Sequence, residues 1–99
     1  MKIRLAGPAR RQADRIDRWW RENRPNAADL FAREFDTARR LIAESPDLGA
    51  PYVKRHGVLI RRVLLPKTNN HVYYEARKDE DMVMILAVWG APRGRGPKL

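Results

Sequence analysis

Between Gly57 and Trp89 the chain alternates three apolar, β-branched and aromatic runs with two short polar pieces. The runs are VLIRRVLL (Val58 to Leu65), HVYYEAR (His71 to Arg77) and MVMILAVW (Met82 to Trp89). The separators, Pro66-Lys67-Thr68-Asn69-Asn70 and Lys78-Asp79-Glu80-Asp81, have the length and composition of hairpin loops. The stretch predicts an antiparallel meander, and a meander needs an apolar cover on at least one face.

Strand alternation predicts how the two faces differ. In the middle run Val72, Tyr74 and Ala76 point one way, and His71, Tyr73, Glu75 and Arg77 point the other. One face is therefore core and the other polar. The last run is apolar on both sides, with Met82, Met84, Leu86 and Val88 set against Val83, Ile85, Ala87 and Trp89. That predicts a central strand. In the first run Arg61 and Arg62 fall on opposite faces, so one of them joins His71 and Tyr73 on a basic, partly concave surface. The pattern leaves open which one.

The preceding chain supplies the cover. Lys2 to Leu5 reads as a short strand closed by Gly7-Pro8, and Pro8 suits the first turn of a helix. Ala9, Ala13, Ile16 and Trp20 step by three or four and predict an amphipathic helix to about Asn23, with Arg10, Arg11, Asp14, Arg15 and Arg18 outside. Arg24-Pro25-Asn26 breaks it. A second helix is expected from Ala27, capped by Asn26, to about Glu44, on the stripe Phe31, Phe35, Ala38 and Ile42. Both neighbouring tryptophans, Trp19 and Trp20, are expected between the layers with Phe31 and Phe35. Pro46 to Pro51 reads as a loop, and Tyr52 to His56 as the lead into the meander. The fold class is thus α+β: a two-layer β-α-α-β-β-β order with a helical hairpin packed on a small, mainly antiparallel sheet. Residues 1–90 form one domain, and residues 91–99, rich in Gly, Pro and Arg, a basic flexible arm.

Composition narrows the functions available. Ninety-nine residues suffice for one two-layer core. There is no cysteine, which removes thiolate chemistry, and the two histidines, His56 and His71, make no metal centre; no cofactor is expected. No apolar run nears the ~18 residues of a membrane span and no signal-peptide pattern opens the chain, so a cytoplasmic protein without a membrane partner is expected. Twenty-one Lys and Arg against twelve Asp and Glu give a net charge of +9, which suits a polyanion or an acidic protein partner.

Three phrases give the chain a family likeness. IAESPDLGAP (Ile42 to Pro51), RRVLLPKTNNHVYYEA (Arg61 to Ala76) and MILAVWGAPRGRGP (Met84 to Pro97) occur in this order and spacing. Together they resemble the RelE/ParE superfamily of bacterial toxins, the toxin halves of type II toxin–antitoxin modules. The resemblance implies a cognate antitoxin with an acidic, partly disordered segment that masks the toxin. It also implies one of two targets: the ribosome and its mRNA for RelE-like nucleases, or DNA gyrase for ParE-like members. Candidates for nuclease chemistry are Arg61, Arg62, His71, Tyr73 and Arg93. Candidates for contact with a target or nucleic acid are Lys54, Arg55, Arg61, Arg62, Lys67, Arg93 and Arg95. RelE-like nucleases usually carry a Tyr or His after the last strand, and here none follows Trp89. That departure favours a ParE-like inhibitor acting by binding. A third reading is a non-toxic basic module that binds nucleic acid through phosphate contacts.

Overall fold

The computed structural model describes residues 1–91 and 95–99. Five strands, β1 (Lys2–Leu5), β2 (Ala50–Arg55), β3 (Val58–Leu65), β4 (Asn70–Arg77) and β5 (Met82–Gly90), form one sheet in the order β1-β5-β4-β3-β2. Two helices, α1 (Gly7–Asn23) and α2 (Leu30–Glu44), cross one face of it. β1 runs parallel to β5, and every other neighbouring pair is antiparallel. The two-layer α+β order and the central position of β5 are as the pattern predicts.

The covered face is the dry one. Ala9 and Ala13 of α1 and Phe31, Phe35, Ala38 and Ile42 of α2 are buried against Leu65, Val72, Tyr74, Val83, Ile85 and Val88. Each large apolar side chain buried there contributes about 1.5–3 kcal/mol. Trp20 packs at the margin of this core. Trp19 does not: it is 47% exposed, edge-on to Trp20 with ring centroids 5.5 Å apart, and Arg24 lies 5.4 Å from its centroid. Adjacent residues on a helix are about 100° apart, so only one of the pair faces the sheet.

Two boundaries differ from the sequence reading. The chain between the helices turns through a short 3-10 segment, Pro25–Ala27, closed by the Ala27 amide donating to the Arg24 carbonyl. α2 therefore starts at Leu30 rather than Ala27, and Asn26 does not cap it. Asp29 precedes the first turn and pairs with Arg33 at 3.2 Å. The second difference is β2. It takes in Ala50 and Pro51 from the expected loop and forms a hairpin with β3 through His56 and Gly57, whose φ angles of 52° and 78° are those of a tight two-residue turn. Pro51 is tolerated because β2 is an edge strand.

The alternation in β5 slips once. A bulge lies where Tyr73 faces Ala87 but Tyr74 faces Ile85. Val83, Ile85 and Val88 consequently share the covered face, and Ala87 and Leu86 pack on the open one with Trp89. Four-to-four alternation along β5 is thereby corrected. β1 ends opposite Ile85, and beyond it Gln12 of α1 takes over, its Oε1 accepting the Val88 amide at 2.8 Å. Glu34 of α2 does the same for the β3–β4 loop, accepting the amides of Lys67 and Thr68 and the Thr68 hydroxyl.

Tyr74 fastens the Pro46–Gly49 loop to the sheet. Its buried hydroxyl donates to the Pro46 carbonyl and accepts the Gly49 amide, both at 2.8 Å. Burial pushes its pKa up, so it stays a protonated donor; the Gly49 amide and Arg61 oppose that rise. Tyr74→Phe strands a buried N–H and leaves a carbonyl without its donor. It should cost about 1–3 kcal/mol, read as a lowered midpoint in urea with the slope unchanged.

Candidate functional site on the open sheet face

The face turned away from the helices carries a smaller apolar patch, with Ile60, Tyr73 and Ala87 buried and Val53, Leu86, Trp89 and Leu99 against them. The described part of the C-terminal segment lies on this patch rather than extending from it. Trp89 Nε1 donates to the Arg95 carbonyl at 2.8 Å, Gly96 lies against the Tyr52 hydroxyl, Pro97 is buried, and Leu99 packs on the patch.

Register settles the two arginines. Arg61 lies opposite Tyr74 and Arg62 opposite Tyr73, so Arg62 joins His71 and Tyr73 on the open face. Arg61 turns towards the Pro46–Gly49 loop, where its Nη1 donates to the Gly49 carbonyl at 2.9 Å and to the Asp47 carbonyl at 3.4 Å. Its Nη2 lies 3.7 Å from the Asp47 carboxylate. Arg61 holds a loop; Arg62 is presented.

A polar pocket of about 210 Å³ opens beside Arg62, lined also by Tyr52, His71, Tyr73, Trp89, Arg95 and Gly96. The Arg62 guanidinium sits 5.0 Å from the Tyr52 ring centroid. Tyr52 and Tyr73 meet edge-on at 4.9 Å, and His71 and Tyr73 at 6.0 Å. His71 lies opposite Trp89 in the ladder. Desolvation, and secondarily the Arg62 charge, lower the His71 pKa from 6.5, so the ring is neutral at pH 7. An unfolded imidazole protonates first on acidification. The stability His71 contributes is therefore complete above pH 6.5 and lost as the pH falls through the lowered folded value.

The other sequence candidates lie elsewhere. Lys54 and Arg55 sit opposite Leu59 and Val58 at the far end of the β2–β3 hairpin. That is three and four residues along from Arg62, or about 10–13 Å. Lys67 lines an apolar groove of about 450 Å³ on the helix side, between α2 and β3, with Leu30, Leu41, Leu48 and Val63. Arg93 lies outside the described residues. Tyr52 and Trp89 are pocket residues that the sequence reading did not select. Tyr52 sits beside a proline in a stretch read as a connector, and no sequence signal singles it out.

Two helices packed on a five-stranded, mostly antiparallel open sheet make an α+β fold consistent with RelE/ParE-like toxins. The family model for the ParE toxin of type II toxin–antitoxin systems, parDE, matches residues 3–93, and the chain belongs to that family. No curated protein matches the chain. Membership implies a cognate antitoxin as partner. Among the described residues no helix is long and apolar enough to cross a membrane.

Proposed function

We propose that this toxin is a cytoplasmic growth inhibitor that acts on DNA gyrase by binding it. A cognate antitoxin neutralises it through an acidic, partly disordered segment. The observation that carries the reading is the dispersal of the cations. Metal-independent RNA cleavage calls for several positive groups converging on one phosphate, beside a proton acceptor and a donor. Here Arg61 is committed to the Asp47–Gly49 loop, Lys54 and Arg55 lie at the other end of β2, and Lys67 belongs to the helix-side groove. Of the described residues, Arg62 and Arg95 are the cations at the pocket. That suits recognition better than phosphoryl transfer. For the antitoxin, the exposed Leu41, Leu48 and Leu64 beside Arg33 and Lys67 offer apolar anchors with a cationic rim, which fits an acidic amphipathic segment.

The test is induction of the chain alone in a bacterial host, with DNA and mRNA sampled within minutes. Double-strand breaks and an SOS response over uncut mRNA are expected, with growth restored by co-expression of the adjacent antitoxin. Codon-phased mRNA cuts with intact chromosomes would replace this reading with a ribosome-dependent nuclease. Undisturbed growth would leave a basic nucleic-acid-binding module.

A further inference from the structure

Arg62 is half-buried and has neither a carboxylate partner nor a hydrogen bond among the described residues; its contact is the face of Tyr52. Arg21, Arg33, Arg39, Arg40, Arg61 and Arg77 have acidic partners, and the other described arginines without one are exposed. Tyr73 is 2% exposed, and its hydroxyl likewise has no hydrogen-bond partner among the described residues, although the side chain lines the pocket. The buried side-chain atoms left without a partner among the described residues are Asp17 Oδ1 and Arg39 Nε, so the Tyr73 hydroxyl is open to the pocket, where an incoming acceptor can reach it. Adjacent strands thus bring together a guanidinium fork from β3 and an imidazole and a phenol from β4, with the Tyr52 phenol of β2 at the same pocket.

We infer that this pocket binds one phosphate group of a nucleic-acid strand, held by Arg62 with Tyr73, His71 and Tyr52 as further donors. Three features select that ligand. The pocket, about 210 Å³, is smaller than the ~300 Å³ at which sites for drug-sized molecules begin, so it takes a single group. Donors arriving from β2, β3 and β4 suit a tetrahedral anion with several acceptor oxygens better than a planar carboxylate, which the Arg fork alone would satisfy. Tyr52 and Trp89 also line the pocket, and aromatic walls beside a phosphate site are the composition by which proteins hold single nucleic-acid strands. The choice of strand rests on the gyrase reading: it is the DNA that the topoisomerase holds, so the toxin would engage the gyrase–DNA complex rather than the protein alone.

Phosphate binding also couples to protonation. The groups facing His71 are Arg62 of β3, Tyr73 of β4, Trp89 of β5, and Tyr52 and Arg95 across the pocket. Burial, and after it the Arg62 charge, disfavours the imidazolium. The negative charge of a bound phosphate opposes that, so binding favours uptake of a proton and strengthens as the pH falls.

The test uses the full chain and three probes: inorganic phosphate, a 12-nucleotide DNA strand and its RNA counterpart. Arg62→Gln, Arg62→Lys and Tyr73→Phe are compared with Arg18→Gln on the exposed face of α1, with each fold checked by thermal melting. Phosphate should shift the His71 ring resonances in the parent and not in Arg62→Gln. Arg62→Gln should weaken the DNA strand at least about tenfold and lower the salt slope by about one. Arg62→Lys should recover part of that affinity, and Arg18→Gln should bind as the parent does. Equal binding by Arg62→Gln, or a loss confined to Arg18→Gln, overturns the site. If DNA binds through Arg62 but gyrase is unaffected, the pocket stands and the gyrase reading falls. If gyrase is poisoned equally by Arg62→Gln, the gyrase reading stands and the pocket falls. Cleavage of the RNA at the bound phosphate would make the site a nuclease centre and overturn binding without chemistry.

Discussion

Gly49→Ala should destabilise the fold by about 2–4 kcal/mol, more than its single added methyl suggests. A Cβ at this position would lie 2.8 Å from the Tyr74 hydroxyl, 2.9 Å from the ring carbon Cε1 and 3.0 Å from the Arg62 carbonyl. Two of these obstacles are a buried ring and a strand backbone, which have little room to give. Relief requires moving the loop off Tyr74, and that also breaks the Gly49 amide bond to the hydroxyl. For a domain of about a hundred residues each kcal/mol lowers Tm by about 4–8 °C, so the melt should fall well outside measurement scatter. A melt within 2 °C of the parent, roughly half a kcal/mol on that scale, would show that the loop is not clamped as described.

The adjacent arginines should fail in opposite ways. Arg61→Ala removes two bonds to loop carbonyls and an ion pair with Asp47, from a side chain only 22% exposed. The expected cost is about 1–2 kcal/mol of stability, with toxicity at permissive temperature retained. Arg62→Ala loses a stacking contact with Tyr52 and no hydrogen bond, so its melt should move by less than about 1 kcal/mol. Toxicity, however, should fall at least tenfold, measured as the inducer concentration needed to stop growth. The reverse assignment, with Arg62→Ala unstable and Arg61→Ala inert as a toxin, would mean that the loop side is the working surface.

Much of this architecture was legible in residue pattern alone, for identifiable reasons. β3, β4 and β5 are long runs of strand formers, and the helix stripes repeat cleanly at three and four. β2 was hidden because Pro51 reads as a breaker, and its turn uses His56 at positive φ where asparagine or glycine is the familiar signal. The β5 bulge left no trace because the strand is apolar on both faces, so a slip of one residue exchanges one apolar side chain for another. Arg61 and Arg62 are interchangeable in sequence. Only pairing with Tyr74 and Tyr73 separates the one that braces a loop from the one that lines a pocket. His71, Tyr73, Arg62 and Arg95 of the pocket were among the candidates, whereas Tyr52 and Trp89 join it through the hairpin and the returning C-terminal segment.

Purified gyrase with supercoiled plasmid and ATP tests the central claim most directly. Added toxin should trap cleaved DNA or block supercoiling at stoichiometries near the enzyme's own, and the antitoxin should abolish the effect. Gyrase that supercoils normally at any toxin concentration, beside ribosomes whose mRNA is cut by the same preparation, would contradict the account.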